Sequence, residues 1–268
     1  HRRRRAGRRL LLPRVKRRVL RALAAAAFYL ALWGALALLL RSQGRSLLLP
    51  GPAESFTRLA ELMGSAAFWS YTFASLARVT LGIAIAAAAG VALAALCARF
   101  RAFDALLAPA MSVVKATPVA SFAILVLIWL PRDAVPVCIS ALMVMPVVWA
   151  NVRGGILGVD GQLLELARAC RLPRRRVLRR IYVSSLLPDF AAAPRSGIGF
   201  GWKAGIAAEV LTVPRESMGR MIYESRYYLQ TTDLFAWTLA VIFLSVAIEK
   251  LLLAALGRLG RTGGRENA

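Results

Sequence analysis

The chain has 268 residues, 59% of them hydrophobic, and a mean hydropathy of +0.60. A soluble domain carries about 45–50% apolar residues, so this composition excludes an ordinary soluble globular protein. The net charge of +23 would point to nucleic acid on a soluble domain, but here the cations stand in blocks between apolar runs, as the positive-inside rule expects of cytoplasmic loops, and no nucleic-acid partner is expected.

The apolar runs are about 17–25 residues long, the length of a helix that spans a bilayer. The expected fold class is therefore all-α: a polytopic membrane protein with six transmembrane helices and cytoplasmic N- and C-termini. Three cysteines (Cys97, Cys138, Cys170) lie far apart, and one histidine, His1, opens the chain. That set predicts neither a metal site nor a disulfide framework. His1 in place of Met points to a truncated or tagged start, and no cleavable signal is expected, because the first apolar run is long enough to remain as a span.

Residues 1–21 form a basic cytoplasmic arm with eleven Lys/Arg. The favoured reading is a topology signal; contact with membrane lipid or nucleic acid is the other. The first span is Ala22 to Leu40. Pro50, Gly51 and Pro52 then mark a turn. Ser55 to Met63 reads as a short amphipathic helix at the outer surface, with Phe56, Leu59 and Leu62 at helical spacing. The segment 22–72 thus pairs one span with an outer amphipathic piece, and 73–256 is the permeation core. The second span, about 74–98, carries Gly82, Gly90 and many alanines, a small-residue face suited to close helix packing.

The third span, about 105–130, is interrupted by Pro109 and Pro118, with Lys115 near its inner end, placed to snorkel to the headgroups. The fourth, about 134–152, contains Pro136 and Pro146, which spanning helices tolerate when neighbours satisfy the freed carbonyls. The fifth, about 190–213, is rich in glycine and holds Arg195, Lys203 and Glu209. Residues 214–232 are expected as an outer loop, the sixth span covers about 233–256, and 257–268 is a polar tail expected to be disordered. With this topology the inner segments hold 25 Lys/Arg and the outer ones 7, a bias that supports the orientation.

Between the fourth and fifth spans lies the loop 153–188. Its stretch from Gly158 to Pro188 has seven arginines and two acids, too much charge for lipid, so it belongs in the cytoplasm. Asp160 is a plausible N-cap for a helix that puts Leu163, Leu164, Ala167 and Cys170 on one face and Glu165, Arg168 and Arg171 on the other. Leu172-Pro173 ends it. A second helix, about 173–187, places Val177, Leu178, Ile181 and Tyr182 opposite Arg174, Arg175, Arg176, Arg179 and Arg180. An amphipathic helix with no lipid to face needs a partner protein; a solvated loop of topology charges is the plainer alternative.

This segment resembles the cytoplasmic signature loop of ABC-type importer permeases, the binding-protein-dependent transport family. The family's pattern is E-A-A, three residues, Gly, nine residues, Ile, one residue, Leu-Pro. Glu165-Leu166-Ala167 matches its opening and Ile181 its spacing. Arg171 stands at the usual Gly and Val183-Ser184 at the usual Leu-Pro, with Leu187-Pro188 following. Ser75-Leu76-Ala77-Arg78, Thr117-Pro118-Val119, Met145-Pro146 ahead of Asn151, Gly201-Trp202-Lys203 through Ala208-Glu209, and Asp233-Leu234-Phe235-Ala236-Trp237-Thr238 resemble the nitrate/sulfonate/taurine-type subfamily.

The resemblance implies a type I importer permease fold, pairing with a second permease copy as a homodimer, an extracytoplasmic substrate-binding protein, and a separate ABC ATPase subunit that holds the ATP and Mg. It assigns ATPase coupling to Glu165, Leu166, Ala167, Arg168, Arg171, Ile181 and Pro188. No G-x-x-x-x-G-K-[ST] phosphate loop occurs, so no cofactor is expected in this chain.

Candidates for the translocation path are Trp202, Lys203 and Glu209. Lys203 and Glu209 are six residues apart, off the i,i+4 spacing of a helical ion pair, so each needs a partner elsewhere. Lys203 either attracts an anion or fixes helix packing. An ion-gradient-driven transporter would need acids at mid-membrane depth, for which Glu209 alone is a candidate. A membrane enzyme would need an acid/base cluster, and none is visible.

Overall fold

The computed structural model describes residues 2–177 and 183–263, all helix or turn with no strand among them. In chain order the helices are α1 (Arg2–Ser42), α2 (Pro52–Met63), α3 (Ala66–Arg99), α4 (Arg101–Ala116), α5 (Val119–Val126), α6 (Val135–Leu157), α7 (Gly161–Ala169), α8 (Arg174–Val177), α9 (Val183–Thr212), α10 (Met218–Tyr227) and α11 (Thr231–Gly263). Two compact units emerge: residues His1–Gly64 with Ser225–Ala236, and Ser65–Glu224 with Trp237–Ala268.

Among the described residues four helical segments are long and apolar enough to cross a bilayer: Leu23–Ser42, Ala66–Arg99, Val135–Leu157 and Thr231–Leu251. The pair α4 and α5, bent by 104°, makes a fifth if counted as one broken span. The segment expected as the fifth span, about 190–213, makes up most of α9. At 30 residues it has the length but not the apolarity, because Asp189, Arg195, Lys203 and Glu209 fall within it. Its C-terminal half is buried by protein, with Trp202, Ala204, Ile206, Ala208 and Glu209 in the core, so it does not need a lipid-facing composition.

In the first unit, α2 begins where the Pro-Gly-Pro turn predicts. The Gly51 N–H donates to the Glu54 carboxylate at 3.1 Å, and the Ser55 hydroxyl donates to the Gly51 carbonyl. Leu59 is buried on the expected face, while Phe56 remains exposed. Arg58 donates to both oxygens of Asp233 and also to Glu61, and the Asp233 carboxylate raises the guanidinium pKa further. Trp33 stacks on Phe235 with ring centres 5.7 Å apart, and its indole N–H donates to the Pro50 carbonyl.

The second unit is built on α3, α6 and α9, whose backbones approach through glycines. A Cβ on Gly82 would lie 2.4 Å from the Val137 carbonyl oxygen; one on Gly201 would meet Val144 at 2.5 Å, and one on Gly205 the Ser140 hydroxyl at 2.4 Å. Small residues thus let the helices touch where lipid offers no hydrophobic drive to association, as the small-residue face of the second span predicts. Of the α9 glycines, Gly201 and Gly205 serve packing, whereas Gly199 faces open space.

Four expectations are corrected. Residues 214–232 are not a plain loop: α10 forms there, with Met218 and Ser225 buried. The stretch expected as one helix over 173–187 is helical at Arg174–Val177 (α8) and again from Val183, where α9 runs on through Pro188 without the break expected before the fifth span; residues 178–182 lie outside the described residues. The polar tail continues α11 as helix to Gly263. Lys115 sits in the last turn of α4, at the bend, and not near the inner end of a continuous span.

Candidate functional site

α7 is the first half of the expected knob. Asp160 caps it, its carboxylate accepting from the Gln162 N–H at 2.9 Å, as its position before the helix predicts. The turn that ends α7 is made at Arg171, which stands where the family pattern has glycine. Arg171 adopts φ +49°. Its N–H donates to the Arg168 carbonyl at 3.0 Å, and the Leu172 N–H donates to the Ala167 carbonyl at 2.9 Å. This pair of bonds is the Schellman arrangement, in which the residue after the helix cap takes the left-handed conformation. An L-residue held there costs about 1–2 kcal/mol. The missing glycine therefore changes the energy of the turn and not its path.

Ala167 is buried and Leu164 half-buried, whereas Leu163, Leu166 and Cys170 are exposed. The expected apolar face is thus only half used within the chain: Cys170 does not join it, and Leu166, at 60% exposure, points away from it. Glu165, Arg168 and Arg171 are exposed around it. Pro188 lies in α9, and Ile181 lies outside the described residues.

The three path candidates separate. Trp202 is buried, and its indole N–H has no partner among the described residues. Lys203 is exposed on the opposite side of α9. Glu209 is fully buried near the C-terminal end of α9. Its Oε2 accepts from the Ser75 hydroxyl at 2.7 Å and from the Gly219 N–H at 3.2 Å. Its Oε1 lies 3.5 Å from the Arg78 guanidinium, an ion-pair distance, although no donor reaches it in hydrogen-bond geometry.

Arg78 also donates to the Glu216 carbonyl at 3.0 Å, the Arg215 carbonyl at 2.6 Å and the Asp133 carboxylate at 3.1 Å. The Met218 N–H donates to Ser75 and the Arg220 N–H to Ser217, so three of the orphan donors at the start of α10 are satisfied. A buried carboxylate is tolerated only when paired and hydrogen-bonded; here Arg78 and the α10 N-terminus, with its positive dipole end, supply both. Gly219 is required at the contact, since a Cβ there would sit 2.2 Å from the Glu209 Cβ.

Sequence reasoning singled out Glu209 but not its partners. The available signal was the motif Ser75-Leu76-Ala77-Arg78, which folds against the Gly201-to-Glu209 motif. A second, half-buried station ties α4 to α6: Arg153 donates to both oxygens of Asp104 and lies over the ring of buried Trp149, whose N–H donates to the Cys97 sulfur at 3.3 Å.

Residues 88–261 match the family described as the binding-protein-dependent transport system inner membrane component. The chain belongs to that family. Permeases of this kind are transport components of ABC transporters and not enzymes, and this one is a multi-pass inner-membrane protein. Among its relatives, a Bacillus subtilis protein provisionally named for aliphatic sulfonates transport is 25% identical over 189 residues, covering 70% of this chain and 68% of the relative. The Escherichia coli taurine transport system permease protein is 24% identical over 218 residues (79% and 78%). The bicarbonate transport system permease protein of Synechococcus elongatus is 26% identical over 210 residues (73% and 74%). In this permease family setting, the α7 knob and the Glu209 anchor are two of the polar constructions that the described helices carry.

Proposed function

We propose that the chain is the membrane-spanning permease of an ATP-driven importer for a small anion such as nitrate, a sulfonate or taurine. It crosses the membrane six times with both termini inside, pairs with a second copy to enclose the path, and receives solute from an extracytoplasmic binding protein. ATP and Mg reside on a separate ATPase subunit. The names of the relatives, which specify sulfonates, taurine, bicarbonate and nitrate, support the anion class, and exposed Lys203 is the cation in α9 placed to attract it.

One observation carries the coupling role: α7 is held by Ala167 while Leu163 and Leu166 stay exposed beside Glu165, Arg168 and Arg171. An amphipathic helix outside lipid with its apolar residues uncovered is a docking element for another protein. Glu165, Leu166, Ala167, Arg168, Arg171, Ile181 and Pro188 make up this element, which moves with the ATPase subunits as ATP closes them. ATP biases the inward- and outward-open states only through its differential affinity for them. Glu165→Ala in a reconstituted complex is expected to lower transport-coupled ATP hydrolysis; unchanged hydrolysis would remove Glu165 from the coupling element.

The rival reading, a transporter driven by an ion gradient, would use Glu209 as its membrane acid. The full burial of that carboxylate against Ser75, Gly219 and Arg78 favours an anchoring role over an exchangeable one.

A further inference from the structure

The bend between α4 and α5 carries an inference that rests on the permease reading and names a part of the passage. α6 measures its depth. With 23 residues, α6 is about 34 Å long, close to the hydrocarbon thickness of about 30 Å, and its midpoint is Pro146. On one side of the bend, Met111, Leu107 and Phe103 of α4 pack with Trp149 and Val152. On the other, Ala123 and Val126 of α5 pack with Val135, Ile139 and Met143. Thr117 and Pro118 therefore lie level with residues 143–149 of α6, in the middle of the membrane.

The bend is an open one. Proline has no N–H and drives the preceding residue out of the helical region, and Thr117 is extended at φ −73°, ψ 128°. Helical pairing resumes only with the Phe122 N–H on the Pro118 carbonyl. The N–H groups of Val119, Ala120 and Ser121, and the carbonyls they would meet in a continuous helix, lose their helical partners, and no side chain caps α5. Ala116, Pro118, Ala120 and Ser121 are exposed.

Irregular backbone at this depth does not face lipid, because hydrocarbon cannot satisfy it; it is covered by protein or lines a water-filled cavity. Two cations decide between these. Lys115, two residues before Thr117, is exposed, and so is Lys203. Lys203 lies at the same depth, since Gly201 and Gly205 on either side of it abut Val144 and Ser140 of α6. Neither lysine has an ion-pair partner among the described residues. Exposed charges at mid-membrane need water.

We infer that the Thr117–Ser121 elbow lines the water-filled passage at mid-membrane, with Lys115 as the charge that a solute meets there. The test is thiol labelling of the full chain in membrane vesicles, using Ser121→Cys and Ala116→Cys in a background carrying Cys138→Ser and Cys170→Ser. Both sites are expected to react with membrane-impermeant charged reagents. The anionic reagent should be favoured over the cationic one by roughly tenfold, the scale of one nearby charge at intermediate dielectric, and Lys115→Gln should erase that preference. Reaction with a lipid-soluble maleimide only, or no reaction with either reagent, would overturn the inference. Labelling needs only the membrane-embedded chain, so its failure is distinct from failure of ATP-dependent uptake, which tests the permease reading itself.

Discussion

The α9–α10 corner and the α7–α8 knob are both polar constructions in the same unit, and they are built on opposite plans. At the corner, the polar groups turn inward: Glu209 Oε2 is hydrogen-bonded within the chain, and its Oε1 lies at ion-pair distance from Arg78. Arg78, Ser75, Asp133, Glu209 and the first N–H groups of α10 form one closed network around a fully buried carboxylate. At the knob, a single alanine is buried, two leucines stand in solvent, and the turn is held by a left-handed arginine. The corner closes on itself, whereas the knob leaves Leu163 and Leu166 uncovered, the feature on which its proposed docking role rests. A polar element that is over-determined holds the fold, and one that is under-used is where a second protein is to be looked for.

Substitutions at three positions sharpen or break this contrast. Glu209→Ala removes the centre of the corner, leaving Ser75 and the Gly219 N–H without their acceptor and Arg78 without one of its two carboxylate partners. Breaking a buried pair from one side costs about 3–5 kcal/mol, so thermal unfolding in detergent should show a large loss of stability, with Glu209→Gln losing less. A small effect for Glu209→Ala would mean that the network is ornamental.

Arg171→Gly relieves the left-handed strain at the knob. It should stabilise the turn by about 1 kcal/mol, read as slower amide exchange at Leu172, whose N–H closes the turn. Destabilisation would contradict the Schellman geometry. Leu166→Asp is expected to leave unfolding within about 0.5 kcal/mol, as for other surface changes, while ATPase subunits no longer co-purify. If it unfolds the chain instead, Leu166 is a core residue and the contrast between the regions fails.

Much of this was legible in the residues. Asp160 announced α7, Pro50-Gly51-Pro52 announced α2, and the glycines of the second span announced the tight packing with α6, because each of these signals is local. Pro118 was visible too, but not its consequence. Pro109 and Pro146 lie inside helices that continue past them, and only the packing of α4 and α5 on opposite halves of α6 turns Pro118 into a 104° bend.

α10 was missed for a related reason. Its sequence reads as a polar loop; Ser217 caps it locally by accepting from the Arg220 N–H, but the rest of its start is held by Glu209 and by Ser75, 143 residues from Met218. The burial of Glu209 and the exposure of Lys203 on one helix depend on which side of α9 meets α3 and α6.

The glycine contacts among α3, α6 and α9 carry a mechanical consequence. With Gly82 against a backbone carbonyl and Gly201 and Gly205 against Val144 and Ser140, none of the three helices can slip along another without driving a side chain into main chain. Interlocked in this way, they are suited to tilt as one block during a transport cycle. The give required for such rocking then falls on joints outside the block, the 104° kink beside Pro118 among them.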